Sequence, residues 1–146
     1  NIAAATRYMR ELQELFADID NPQERLMFAL AAYNGGYKHV RDAMALTKKY
    51  GGVWQRWNDV RHYILALSRP QYYRDPAVKN GYMRGSETAN YVDMIMRRWS
   101  QYRQALRTGG KAVSSVKSTT PLPSPPHTTD GLPHRRAAKK NKWRKE

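Results

Sequence analysis

The sequence contains no cysteine, so it holds neither a disulfide framework nor a thiolate metal site, although that absence leaves the compartment open. No apolar run approaches the roughly 20 residues that cross a bilayer as a helix, which excludes an integral helical membrane segment. Acid is scarce: 12 Asp and Glu stand against 26 Lys and Arg, a net charge of +14 over 146 residues. Phosphate-binding Gly-rich loops, a dinucleotide fingerprint and a Gly-x-Ser-x-Gly elbow are all missing. The four histidines, His39, His62, His127 and His134, are too scattered for a zinc site, and no metal or cofactor is expected. The chain opens at Asn1 with no initiator Met, basic n-region or apolar h-region. It is therefore read as a fragment or processed piece that carries no targeting signal.

What is present is unevenly distributed. Residues 109–146 carry nine Lys/Arg against Asp130 and Glu146, and residues 1–108 carry seventeen against ten, so each part nets +7. All ten Tyr, both Phe and three of four Trp fall before residue 109, while five of eight Pro fall after it. A core can be built only from the first part. The expected organisation is an all-α body over 1–108 and a disordered tail over 109–146. That tail is Ser/Thr/Pro-rich from Ser114 to Pro126 and basic from Arg135 to Lys145.

Apolar periodicity predicts the helices. Ala5, Tyr8, Met9, Leu12, Leu15, Phe16 and Ile19 form one face of a helix over 3–19. Asn21 caps and Pro22 opens a second helix over about 22–33, with Glu24 in its first turn. Its nearly continuous apolar run from Leu26 to Tyr33 predicts a central, buried element. Gly35-Gly36 ends it, and residues 37–50 resume with Tyr37, Val40, Met44 and Tyr50 inward until Gly51-Gly52. A short helix carrying Val60, Ile64 and Leu67 is closed by Pro70, and residues 70–85 read as a long ordered loop. The last helix starts near Ser86 with the stripe Thr88, Tyr91, Val92, Ile95, Trp99, Tyr102 and Leu106, and stops at Gly109-Gly110.

Among chemistry-bearing residues, most body carboxylates, Asp42 and Asp75 included, are expected on solvated polar faces. Glu87 stands one turn before Tyr91, where it either faces a shared cleft or answers the dipole of its own helix N-terminus. Tyr33-Asn34 sets an apolar ring beside an amide that donates and accepts. The pair serves as a helix C-cap or as a contact for an N-acetylated sugar, with ring stacking on one face and amide pairing at the edge.

These residues carry a resemblance. Ala32-Tyr33-Asn34-Gly35-Gly36, the opening Asn1-Ile2-Ala3-Ala4-Ala5-x-x-Tyr8-Met9, and Glu87-Thr88-x-x-Tyr91-Val92 resemble the second half of a soluble lytic transglycosylase domain, the lysozyme-like, peptidoglycan-cleaving family. Tyr37-Lys38-His39-Val40-Arg41-Asp42-Ala43 and the run from Tyr72-Tyr73 through Gly81-Tyr82-Met83-Arg84-Gly85 resemble its membrane-bound lytic transglycosylase F branch. The match runs in order over about residues 1–107. One departure is Gly35, where the family more often has Ala or Met.

The resemblance implies the C-terminal part of a lysozyme-like all-α domain. It implies non-hydrolytic cleavage of the MurNAc–GlcNAc β-1,4 bond of peptidoglycan to 1,6-anhydroMurNAc products, without cofactor or metal. Tyr33, Asn34, Glu87 and Tyr91 would bind the glycan, with Tyr91 close to the catalytic carboxylate. That carboxylate, the Glu of a Glu-Ser motif followed by a Gly-Leu-Met-Gln-like segment, lies upstream of the Asn1-Ile2 box. No catalytic residue is therefore expected in this chain, and inactivity alone is. The implied place is the bacterial cell envelope, meaning the periplasm with outer-membrane association. Two rivals remain: a non-catalytic peptidoglycan-binding remnant, and a basic nucleic-acid-binding protein. The second lacks any helix-turn-helix or RNA-binding motif, so no specific nucleic acid is expected. The basic tail reads as a loose polyanion contact.

Overall fold

A computed structural model describes residues 1–109, and among these every regular element is helical. The expected disordered tail lies outside the described residues from Gly110 onward. The order is α1 (Ile2–Leu15), α2 (Pro22–Gly35), α3 (Tyr37–Lys49), α4 (Trp57–Ala66), α5 (Pro70–Tyr73) and α6 (Gly85–Arg107). The helix α2 packs against α1, α3, α4 and α6 and is the central element its apolar run predicts. Phe28, Ala29, Leu30, Ala31 and Ala32 are all buried. Phe16 of the α1–α2 turn and Trp57 of α4 close on Phe28, at ring separations of 5.7 and 5.5 Å.

Helix starts follow local chemistry. Asn21 Oδ1 accepts from the Gln23 and Glu24 amides at 2.9 and 3.0 Å, capping α2 as expected. Glu24 does something further: its Oε2 accepts from the Trp57 amide at 2.7 Å, capping α4 from another helix. Gly36 takes φ +96°, a left-handed conformation that side chains disfavour, and this single residue separates α2 from α3. Gly35 itself stays helical.

Four expectations need correction. The first helix stops at Leu15, not at 19, because Arg41 donates to the Leu15 carbonyl at 2.7 Å and grips the Asp18 carboxylate at 2.8 and 3.1 Å. Arg25 likewise donates to the Ile19 and Asp20 carbonyls. The turn is held by side chains, and Phe16 and Ile19 are buried from it. Pro70 begins a helical turn rather than closing α4, since its fixed φ suits a first helical position. Asp42 and Asp75 are not solvated; they are 3% and 8% exposed. Asp42 accepts from the Lys79 and Asn80 amides, and Asp75 from Lys49, the Tyr50 hydroxyl and the Ala77 amide, so the two carboxylates hold the 75–80 loop onto α3. Lastly, the α6 stripe buries Thr88, Tyr91 and Val92, but Trp99, Tyr102 and Leu106 are exposed.

The return of the chain into α6 is sterically tight. The Met83 amide donates to the Leu67 carbonyl at 3.1 Å, bringing the loop back to the end of α4. Gly85 then lies so close to the Ile64 carbonyl and Leu65 Cα that a Cβ there would overlap the α4 backbone. Gly85→Ala is expected to cost about 1–3 kcal/mol through forced backbone displacement. The exposed neighbour change Ser86→Ala should stay within roughly 0.5 kcal/mol. Urea unfolding of the two variants measures the difference.

Asp75 also sets an acid limit. Its hydrogen bond from Lys49, then those from the Ala77 amide and Tyr50, lower its pKa to about 2. Because the folded value lies below the ordinary 3.8, its stabilising contribution is complete above that pH. It is lost as pH falls toward 2. Stability measured between pH 5 and pH 2 should fall more steeply in the wild type than in Asp75→Asn, which has no proton to take up there.

Candidate functional site

Tyr33 and Asn34 sit in the last turn of α2, where α1 and α6 both reach it. The Tyr33 ring stacks on Tyr91 of α6 with centroids 6.4 Å apart and planes 24° apart. Tyr8 of α1 also meets the Tyr33 ring, at 5.7 Å and tilted by 52°. Three tyrosines from three helices thus meet at Tyr33. Tyr33 and Tyr91 line an open groove of about 530 Å³ together with Ile2, Met9, Leu30 and Ile95. Its one charged lining residue is Arg10, and no carboxylate lines it.

Asn34 is buried, and its Oδ1 accepts a hydrogen bond from the Thr88 hydroxyl at 2.9 Å. This bond ties α2 to α6 across 54 residues of sequence and turns the amide oxygen toward Thr88. Gly35 presses against the same Thr88 side chain and the Met83 methyl, leaving no room for a Cβ. Burial, reinforced by Tyr33, raises the Tyr91 pKa above its ordinary value.

Glu87 occupies the first turn of α6 as expected, but its carboxylate is exposed and pairs loosely with Arg84 at 3.8 Å. The structure therefore brings together Tyr33, Asn34 and Tyr91, and sets Glu87 at the solvent side one turn away. The other carboxylates are largely engaged in holding the fold: Asp59 accepts from the Val53 amide and Asp93 pairs with Arg61. Among the described residues no group of three or more His, Asp or Glu gathers to hold a metal ion.

Residues 1–53 match a family model described as the Transglycosylase SLT domain. The chain is 41% identical over 96 residues to the membrane-bound lytic murein transglycosylase F of Desulfosudis oleivorans, an alignment covering 66% of this chain and 21% of that protein. It is 36% identical over 124 residues to the protein of that name from Cellvibrio japonicus, covering 80% and 25%, and 42% identical over 95 residues to that from Klebsiella pneumoniae, covering 65% and 18%. The chain belongs to the lytic transglycosylase family. It spans about a fifth to a quarter of the length of these curated relatives.

In this lytic transglycosylase domain the Gly35 departure has a physical counterpart, since Met83 and Thr88 take the space that a larger residue would need. Sequence reasoning passed over Thr88 and Tyr8 as site residues, treating both as apolar-face positions. The signal for Thr88 was available in its place beside Glu87 and one turn before Tyr91 and Val92. Its partner was not, because only the fold sets it against Asn34. Thr88→Val should leave the buried Asn34 carbonyl oxygen unpaired and cost about 1–3 kcal/mol, while Thr88→Ser keeps the donor and most of the stability. Thermal unfolding of both variants checks this.

Proposed function

We propose that this chain is the glycan-cleft part of a peptidoglycan lytic transglycosylase, and that residues preceding Asn1 carry its catalytic acid. The observation that carries the reading is the groove. Two stacked tyrosines stand at an apolar wall from which carboxylates are missing, and a buried, oriented asparagine follows Tyr33 in the same helical turn. A pyranose ring gains from stacking on Tyr33, and the Asn34 amide nitrogen, with its oxygen already engaged by Thr88, is left to donate to an acetamido carbonyl. The Tyr91 hydroxyl, a protonated donor, suits a carboxylate delivered opposite it. The apolar lining, with Ile2 exposed and Met9 and Ile95 half-buried, suits the helix that would deliver it.

In the reaction this reading implies, one Glu protonates the glycosidic oxygen. The same group then takes the proton of the muramic acid 6-hydroxyl as that oxygen closes on the anomeric carbon. A 1,6-anhydro ring forms and water is not consumed. Most glycosidases divide such work between two carboxylates. Here the single Glu would act first as acid and then as base, with this chain positioning the sugar. Glu87, exposed and paired with Arg84, would contact the glycan at the margin of the cleft. Relatives named as membrane-bound murein enzymes support the cell envelope as the place of action. The basic tail, outside the described residues, would add a loose polyanion contact.

The test is product analysis. The 146-residue chain should give no turnover on purified sacculi, whereas the protein with its preceding residues should release 1,6-anhydromuropeptides. In that longer protein Asn34→Ala should lower glycan processing by about tenfold, consistent with one lost hydrogen bond, without unfolding the domain. Reducing-end hydrolysis products would refute the transglycosylase chemistry. Binding without turnover by the longer protein would favour the non-catalytic reading, and turnover by the 146-residue chain would turn attention to Glu87.

A further inference from the structure

The helix α6 is longer than anything it packs on. Its 23 residues extend about 34 Å, against about 21 Å for the 14 residues of α2, and it also packs on the shorter α4. Its inward stripe does not end where the body ends. Trp99, Tyr102 and Leu106 follow Tyr91, Val92 and Ile95 on the same face, and are 47%, 55% and 62% exposed. Across residues 97–109 there are four arginines, Arg97, Arg98, Arg103 and Arg107, and no acid. Trp99 and Tyr102 stack on each other at 6.3 Å, and the Arg103 guanidinium lies 6.0 Å from the Trp99 ring centre.

We infer that this second half of α6 is a docking surface for an anionic lipid bilayer. Three features select that occupant. The stripe combines Trp and Tyr, which favour the headgroup level, with an aliphatic Leu106 that only a hydrocarbon environment rewards. Arg103 and Arg107, both exposed, complement anionic headgroups, each worth roughly fivefold in binding near such a surface. The ring faces of Trp99 and Tyr102 already meet one another and Arg103, which leaves less face for the base stacking that a nucleic acid uses. The helix would lie in the interface with its stripe inward, holding the groove at Tyr33 and Tyr91 near the membrane.

The test uses the full 146-residue chain with vesicles of phosphatidylglycerol and phosphatidylcholine in equal parts, and with phosphatidylcholine alone. The chain should sediment with the first and not the second, and lipids brominated in the acyl chain should quench its tryptophan emission. Trp99→Phe should remove most of that quenching while Trp54, Trp57 and Trp143 remain. The triple change Trp99→Ser, Tyr102→Ser, Leu106→Ser should lower binding about tenfold or more, and so should Arg103→Glu with Arg107→Glu. All variants keep the basic tail, so its contribution is constant. Triple-variant binding equal to wild type overturns the inference, as does light scattering that shows a wild-type dimer which the triple change dissolves. Loss of vesicle binding when the preceding residues are present also overturns it, because the face then belongs to the protein's own interior. If the triple variant loses its helical circular dichroism, the Trp99→Phe arm decides: retained quenching refutes the inference.

Discussion

The close approach of Gly85 to the α4 backbone is the constraint on which the site depends. With no Cβ at Gly85, α6 starts in contact with the Ile64 carbonyl, and its first turns are thereby aimed along α2. Thr88 then comes within hydrogen-bond reach of Asn34, and Tyr91 comes to rest against Tyr33. A shift of α6 away from α4 would separate both pairs at once, since they lie on consecutive turns of one rigid helix. The same packing explains Gly35. Two glycines on facing helices, Gly35 and Gly85, let three helices approach at one end of the domain, and Met83 fills the remaining space between them.

Polar side chains do the work that loops of this small domain cannot do alone. Glu24 caps α4 from α2, Arg41 ends α1 from α3, and Asp42 and Asp75 clasp the chain between α5 and α6. Each joins elements that are distant in sequence: Glu24, Arg41 and Asp42 through backbone groups, and Asp75 through the Lys49 and Tyr50 side chains. The scarcity of acid therefore has a structural side. Of the few carboxylates present, Asp18, Glu24, Asp42 and Asp75 are engaged in these clasps, and the groove beside Tyr33 and Tyr91 is lined by none.

Local signals made most of the helices legible. Asn21-Pro22, Gly36 and the apolar run from Leu26 to Tyr33 act within a few residues of themselves, so α2 and its ends could be read from them. What depends on a distant partner could not. Nothing near Leu15 announces that Arg41 will take its carbonyl, so α1 was expected to run four residues too far. Asp42 and Asp75 look like surface acids until the loop they bind is placed over them. Within the site, Tyr33, Asn34 and Tyr91 were readable as candidates from their chemistry and from motif resemblance. Their relation through Thr88 was not, since a hydrogen bond across 54 residues leaves no periodic trace.

The stripe on α6 illustrates how one periodic signal can have two physical meanings. From Thr88 to Ile95 the repeat marks burial against α2, and from Trp99 to Leu106 the same repeat faces outward. Periodicity reports only that a face is apolar; the lengths of the neighbouring helices decide where along it the partner stops. The residue types change at that point as well. The buried part sets Thr88, Ala89 and Val92 beside the single ring of Tyr91, and the outer part buries only Ala105 and exposes Trp99 and Tyr102 with arginines around them. Bulky amphipathic rings with flanking guanidinium groups are poorly suited to tight helix packing and well suited to a boundary between apolar and charged surroundings. The arrival of arginines beside the rings is therefore a better guide than the repeat itself to where the domain's own core ends.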